Sequence, residues 1–303
     1  MKILVTGGSG FIGRNLVEYL SENYEIIAPT HHEMDLLDPV QVNEILKNSN
    51  IDTVIHCATW DATRFSKKDP SKVLDHNLKM YFTLAHNHQW FRQMFYFGSG
   101  AEFTREYWKP LMPEDYFGKH IPADPYGLSK YVMNLHSNCT TRIYNFRLFG
   151  VYGKYEDYWV RFISNIIFQC IQRGAIIVDQ ERRFDYLYIK DLVPIIKFFL
   201  KSDKYHGDFN ISTTESISLK EIVEIINEVG KFKSKISIDK KNYNYQYTGS
   251  NQKLKKTIPH LKITSYEDSI KDFSNYLKGN LETIDKDAII QDEYFKKSKI
   301  KTS

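Results

Sequence analysis

Over the first 150 residues the spacing of apolar positions switches repeatedly between two periods. "KILVT" (2–6) is a short β-forming run, and "FIGRNLVEYLSE", after a glycine turn, carries its apolar residues at helical spacing. "YEIIAP" then predicts a strand, "PVQVNEILKN" a helix, "DTVIHCAT" a strand and residues 71–88 a helix. "RQMFYFGS" predicts the next strand. A loop rich in Pro and Gly covers about 104–125, a helix runs from Tyr126 to about Asn138, and "TTRIYNFRL" is a strand. Strands alternating with helices call for a parallel sheet covered on both faces, so the expected class is α/β with a doubly wound sheet.

Beyond Gly150 the alternation weakens. "YWVRFISNIIFQCIQRG" predicts an apolar helix, "AIIVD" a short strand and "LKEIVEIINEVG" an amphipathic helix behind the cap residue Ser218. This divides the chain into a sheet domain over 1–150 with return segments from about 183–205, and a smaller, partly helical lobe over 151–278. A charged tail, 279–303, has weak periodicity, and its end is expected to be mobile.

Bulk properties narrow the classes. The 303 residues suffice for a sizeable core, and 42% of them are apolar. No run of about 18 apolar residues suggests a membrane span. The start reads as strand and turn rather than signal peptide, so the expected location is cytoplasmic. Cys57, Cys139 and Cys170 are an odd number without paired metal spacing, which suits a reducing compartment and predicts neither a disulfide framework nor a metal site. A net charge of +4 with scattered lysines gives no case for nucleic acid.

The first chemistry lies in "TGGSGFIG". Gly7, Gly10 and Gly13 form G-x-x-G-x-x-G, while Gly8, Gly10 and Gly13 form G-x-G-x-x-G, between the first strand and the first helix. Glycines there permit a tight turn and let backbone N–H groups approach a pyrophosphate at the helix N-terminus, so a dinucleotide is expected. At the end of the second strand, where NAD sites usually place an acid, "IIAPTHHEMDLLD" offers none before Glu33. Thr30, His31 and His32 could instead face a 2′-phosphate, with Arg14 just after the turn, which favours NADP(H) over NAD(H).

"DPYGLSKY" sets Tyr126 four residues before Lys130. With 21 tyrosines among many lysines, roughly two Tyr-x-x-x-Lys matches are expected by chance, and the second is Tyr186 with Lys190 in "FDYLYIKDL". Residues i and i+4 lie about 5 to 6 Å apart at Cβ on a helix but roughly 13 Å apart along a strand. Tyr126 opens a predicted helix and Tyr186 sits in a strand-like run, so only the first pair is expected to touch. Poising a tyrosine near pH 7 needs about three units, or about 4 kcal/mol. A cation at about 4 to 6 Å supplies one to three of them.

Together, "TGGSGFIG", "DTVIHCAT", "HNLKMYFT", "FGSGAEF", "DPYGLSKY", "RLFGVYG" and "FDYLYIKDL" resemble, in order, the extended short-chain dehydrogenases/reductases, which include nucleotide-sugar epimerases, dehydratases and reductases. The resemblance covers Met1 to about Leu277 and implies a Rossmann-type sheet domain with a C-terminal lobe for a nucleotide sugar. It implies that Ser99, Tyr126 and Lys130 are catalytic. It assigns the cofactor Gly7, Gly10, Phe11, Ile12, Gly13, Arg14 and the residues that follow the second strand, with Asp35 and Leu36 beside the adenine. Ala58 is assigned to the pyrophosphate and ribose, Asn77 to the cofactor's neighbourhood, and the backbone about Phe149 to Val151 to the nicotinamide amide. Many relatives form homodimers through two helices of the large domain, and "YVMNLH" has apolar residues suited to that.

Departures from the family pattern narrow the reaction. The dehydratases carry an Asp-Glu pair after the catalytic hydroxyl residue, where this chain has Gly100 and Ala101. The GDP-fucose synthase branch has an epimerising cysteine near Ala101. Glu102, on a strand-like segment, is expected to point elsewhere. Gly150 stands where relatives often carry Asn, and Phe184 where they carry Arg, so Arg182 or Arg183 is expected at the substrate diphosphate, beside Ser99 and Gly100 at the sugar. The leading expectation is an NADP(H)-dependent reductase of the 4-keto group of a nucleotide-activated 6-deoxy sugar, GDP-linked, hexose or heptose, as used in polysaccharide biosynthesis. A redox-neutral 4-epimerase with tightly bound NAD and a dinucleotide-sensing regulator without turnover are the alternatives.

Overall fold

The computed structural model describes residues 1–282 apart from 62–65, 67, 159, 172–175, 203, 214 and 241–245. Most of the expected tail lies outside the described residues. Strands β1 (Lys2–Thr6), β2 (Glu25–Ile27), β3 (Thr53–His56), β4 (Gln93–Ser99) and β5 (Ile143–Leu148) alternate with helices α1 (Phe11–Leu20), α2 (Pro39–Ser49), α3 (Val73–Ala85) and α4 (Pro125–Ser137). The chain continues through β6 (Gly150–Tyr152), α5 (Phe162–Ile171), β7 (Ile176–Gln180), β8 (Arg183–Phe184), β9 (Tyr186–Tyr188), α6 (Ile189–Leu200) and β10 (Gly207–Ile211). It ends with β11 (Ile217–Ser218), α7 (Leu219–Gly230), β12 (Ile236–Lys240), β13 (Gln246–Tyr247), α8 (Gln252–Thr257) and α9 (Tyr266–Gly279).

The main sheet is parallel throughout, in the order β10-β5-β4-β3-β1-β2. Successive strand residues face opposite sides, and both sides are apolar. Ile3, Val5, Phe95 and Phe97 join the core beneath α1 and α6, while Leu4, Met94 and Tyr96 join the one beneath α2 and α3. The doubly wound α/β expectation therefore holds. The return to the sheet runs further than 183–205, because β10 adds an edge strand parallel to β5. Its five residues, "GDFNI", are too short and too mixed to declare themselves in the sequence.

Helix starts follow their caps. Asp124 accepts the Gly127 N–H at 2.8 Å and Pro125 occupies the first turn, which fixes where α4 begins and hence where Tyr126 points. Ser218 and Glu221 form a reciprocal capping box on α7. The apolar segment from Tyr158 becomes helical only at Phe162, because Val160 and Arg161 first close a turn onto the Asp157 carbonyl. In "YVMNLH", Tyr131 and Met133 are buried within the subunit and Leu135 is exposed. All three cysteines are free. Among the described residues no helix is long and apolar enough to cross a membrane.

Candidate active site

The glycine turn is built for close approach. Gly7 has φ +67°, and a Cβ there would lie 2.6 Å from the Ala58 nitrogen; a Cβ on Gly13 would lie 2.2 Å from the Gly7 carbonyl oxygen. The Gly10 N–H closes the turn on that same oxygen at 3.0 Å. No side chain caps α1, which leaves its first N–H groups to a ligand. Beside it lies a cavity of about 650 Å³ bordered by Gly7, Gly10, Phe11, Ile12, Gly13, Thr30, His31, Asp35, Leu36 and Ala58, ten of the residues expected at a dinucleotide. Its size and its side-chain-free cradle fit such a group.

Asn77 is buried behind this wall rather than in it. Its Oδ1 accepts from the Trp60 N–H at 2.7 Å and the Thr59 hydroxyl at 3.2 Å, and so fixes the segment after β3. Arg14 stacks on the Tyr155 ring, 3.7 Å from its centroid, and does not border the cavity. Glu33, distant in sequence from the strand end, folds back so that its carboxylate accepts from the Thr30 N–H at 2.7 Å and the Thr30 hydroxyl at 2.8 Å. These bonds hold the exposed Glu33 carboxyl below its ordinary range. The Glu33 carboxylate is thus engaged within its own loop and, like Arg14, does not border the cavity. His31 is exposed and lies 3.5 Å from the Asp35 carboxylate.

A second cavity, of about 600 Å³, adjoins the first, and Tyr126 borders both. Ser99 ends β4, Tyr126 and Lys130 lie on the first turns of α4, and all three side chains face this second space. Lys130 is buried, with its ammonium donating to the Phe97 carbonyl at 2.9 Å and 5.8 Å from the Tyr126 ring centroid. Burial pushes Lys130 down to about 8, against the pull of the Glu102 carboxylate. Burial also dominates at Tyr126 and pushes its phenol up, with the Ser99 hydroxyl acting the other way. The expected lowering of Tyr126 by Lys130 is thus not the balance in the protein itself. A phenol held protonated is the form a proton donor requires.

The segment after Ser99 is a tight helical turn over Gly100–Phe103 rather than strand-like, and Ser99 caps it through the Ala101 N–H at 3.2 Å. Glu102 is turned away from the cleft, as expected. Its carboxylate accepts from the Ser99 N–H at 3.0 Å and from Arg147 Nε at 2.9 Å, with both side chains fully buried. Arg147 also donates to Asp208 at 2.6 Å. A buried pair of this kind costs about 3–5 kcal/mol when one partner is removed, so it locks the turn that carries Ser99.

The far end of the cleft is aromatic and cationic. Trp108 donates its indole N–H to the Gly100 carbonyl at 3.0 Å, and Tyr247 stacks on Trp108 with centroids 4.1 Å apart. Phe149, Val151 and Phe184 line the same space, as do Arg105, Arg161 and Arg182. Gly100 is crowded, since a Cβ there would meet the Tyr247 and Phe149 rings at 2.6 and 2.7 Å. Arg183 is turned elsewhere, to Ser216 at 2.7 Å and Glu221 at 3.2 Å. A Cβ on Gly150 would lie 2.4 Å from the Asp185 carbonyl oxygen, so the backbone approach where β6 pairs with β9 leaves no room for a side chain at this position. Trp108, Arg161 and Tyr247 escaped sequence reasoning, because no motif surrounds them and only the fold brings them to Ser99.

Residues 3–212 match the model described as the NAD dependent epimerase/dehydratase family. The chain is 23% identical over 263 residues to the GDP-L-colitose synthase of Yersinia pseudotuberculosis, covering 79% of this chain and 85% of that one. It is also 23% identical over 272 residues to a UDP-glucose 4-epimerase of Halalkalibacterium halodurans, covering 76% and 80%. A GDP-L-fucose synthetase structure from Naegleria fowleri superposes with a TM-score of 0.83 at 16% identity, over 94% of this chain and 95% of that chain; its NADP-bound form gives 0.81. With the family's pattern matched over more than half its length, this chain belongs to the NAD-dependent epimerase/dehydratase family, within the extended short-chain dehydrogenases/reductases.

Proposed function

We propose that this protein is an NADP(H)-dependent reductase of the 4-keto group of a GDP-linked 6-deoxy sugar, hexose or heptose. The observation that carries the reaction type is the turn after Ser99. Gly100 and Ala101 supply no acid or base, and the one carboxylate in the turn, Glu102, is locked on Arg147 away from the cleft. Elimination of water or epimerisation beside the carbonyl needs a second proton-transfer group at this position, whereas reduction of the carbonyl does not.

The nicotinamide dinucleotide supplies the hydride. Gly7, Gly10 and Gly13 would admit its pyrophosphate against α1, with Asp35 and Leu36 at the adenine and Phe149 and Val151 near the nicotinamide. Tyr126 would pass its phenolic proton to the substrate oxygen while Ser99 donates a hydrogen bond to the same atom. Lys130, cationic below about pH 8, would hold the ribose beside them. Arg182 would meet the diphosphate, since a guanidinium fork matches phosphate oxygens. The GDP assignment and the NADP(H) preference draw support from the likeness to GDP-L-colitose synthase and to the NADP-bound GDP-L-fucose synthetase. A homodimer through two helices of the sheet domain, with "YVMNLH" of α4 contributing, and a cytoplasmic location belong to the same reading.

A redox-neutral 4-epimerase that retains NAD is the second reading, because a UDP-glucose 4-epimerase stands among the relatives and the turn after Ser99 does not separate that reaction from reduction. Absorbance at the reduced-nicotinamide band separates the two, with NADPH or NADH and GDP-, dTDP-, UDP- and CDP-4-keto-6-deoxy sugars. The expected result is stoichiometric loss of NADPH, faster than of NADH, with a GDP sugar. No loss with any sugar, together with NAD released on denaturation, would discard the reductase in favour of the epimerase.

A further inference from the structure

The catalytic serine has a partner that no motif marks. A serine hydroxyl has one hydrogen and two lone pairs. At Ser99 the Ala101 N–H occupies one lone pair at 3.2 Å, and the Tyr247 hydroxyl lies 3.2 Å from the same Oγ. A phenol is a stronger hydrogen-bond donor than an aliphatic alcohol, so the favoured arrangement has Tyr247 donating and Ser99 accepting twice. The one Ser99 hydrogen is then left to point into the cleft, where Tyr126 also faces.

Tyr247 is held where this requires. Its ring stacks on Trp108 and lies 5.2 Å from Phe149. Its carbonyl accepts the Asp185 N–H at 3.2 Å, and the Asp185 carboxylate accepts the Gly249 N–H at 2.6 Å. Trp108 is itself tied to the Gly100 carbonyl, in the turn that Ser99 caps. Burial pushes the Tyr247 phenol up, so it remains a donor across the working range of pH.

We infer that Tyr247 is a positioning residue, supplied by the C-terminal part of the chain, which fills the second lone pair of Ser99 and makes that hydroxyl an obligate donor to the substrate oxygen. The inference rests on the catalytic reading of Ser99 and Tyr126 given above. The aromatic stack that borders the sugar space thus also carries the phenol that orients the catalytic hydroxyl.

Tyr247→Phe tests this while keeping the ring stack, and an unchanged thermal midpoint would show the fold intact. The expected result is a loss of about tenfold in kcat, the worth of one hydrogen bond acting in the transition state, with KM for the sugar within about twofold. In a Ser99→Ala background the same change should have no further effect in single-turnover measurements. A raised KM with unchanged kcat, or additive losses in the double variant, would make Tyr247 a direct sugar contact and overturn the inference. A second measurement needs neither substrate nor turnover. In protein labelled at tyrosine Cζ with carbon-13, with Tyr126 assigned through Tyr126→Phe, the Tyr126 resonance should titrate at higher pH in Tyr247→Phe than in the parent, because Ser99 no longer directs its hydrogen toward it. An unmoved titration overturns the inference whatever the reaction is. Absence of turnover in the parent with every keto sugar would instead count against the reductase alone.

Discussion

The two ends of the cleft are built in different ways. The glycine end draws chiefly on the tips of β1, β2 and β3 and the start of α1, around a glycine turn that leaves its backbone open, with Lys68, Met80, Tyr126, Asp157 and Arg161 reaching it from later in the chain. The far end draws on Ser99, Arg105, Trp108, Phe149, Arg182, Phe184 and Tyr247, collected from loops distant in sequence, while Arg161, like Tyr126, borders both spaces. A group common to many reactions can be held by local, repeated backbone geometry. A group that distinguishes one reaction from another is held by side chains collected from distant loops, where a single substitution changes the outcome.

Tyr126 stands where the two ends meet, and changing it should have the largest effect. Tyr126→Phe is expected to lower turnover by on the order of 10² to 10⁴-fold, the usual worth of a general acid, while dinucleotide affinity stays near its parent value. Stopped-flow turnover and a binding titration would check the two halves of that statement separately. Unchanged turnover would remove Tyr126 from the mechanism and break the division between the ends.

At the glycine end, Gly13→Ala should be next in size. Its Cβ would sit 2.2 Å from the Gly7 carbonyl oxygen, a backbone atom that cannot swing aside as a side chain would. Overpacking of this kind costs about 1–3 kcal/mol, visible as a lower melting temperature. The displaced turn should also weaken dinucleotide binding, measured by titration of the purified variant. A variant with the parent's melting temperature and affinity would mean that the turn tolerates a side chain and that the cradle is less specific than its geometry suggests.

What the sequence made legible follows the same line. The sheet and its helices through β5 could be read because apolar strands and amphipathic helices differ in period and because caps such as Asp124 stand at their starts. The Ser99, Tyr126 and Lys130 set could be read because its members lie at an element's end or on one helix face. β10 could not, since its pairing with β5 is decided by the sheet edge available to it rather than by its own pattern. Arg161 and Tyr247 could not, because their approach to Ser99 depends on contacts across the fold.

The far end can be sharpened with Arg182→Ala. Arg182 borders the sugar-facing cavity, whereas its neighbour Arg183 is engaged by Ser216 and Glu221. Loss of a contact made equally to bound substrate and transition state raises KM and leaves kcat alone. An increase of about tenfold in KM for the nucleotide sugar is therefore expected in steady-state kinetics. An equal fall in kcat would show Arg182 acting on the reacting atoms instead of the diphosphate.

The smallest effect is expected from the second Tyr-x-x-x-Lys pair, and it is informative for that reason. Tyr186 lies in β9 and Lys190 in the first turn of α6, where its ammonium meets Asp272 at 2.6 Å on a half-exposed surface. An ion pair so placed contributes about 0–1 kcal/mol. Lys190→Met should thus leave turnover within about twofold and the melting temperature nearly unmoved. Burial gives Lys130 a different prediction. Its value lies at about 8, below that of an ordinary lysine, so it is cationic at lower pH and loses its charge as pH rises through 8. Turnover should fall over that interval if the charge holds the ribose, and the same alkaline limb should persist in Lys190→Met. A limb that vanished in Lys190→Met would assign the titration to the wrong lysine and would mean that burial does not separate two identical spacings in one chain.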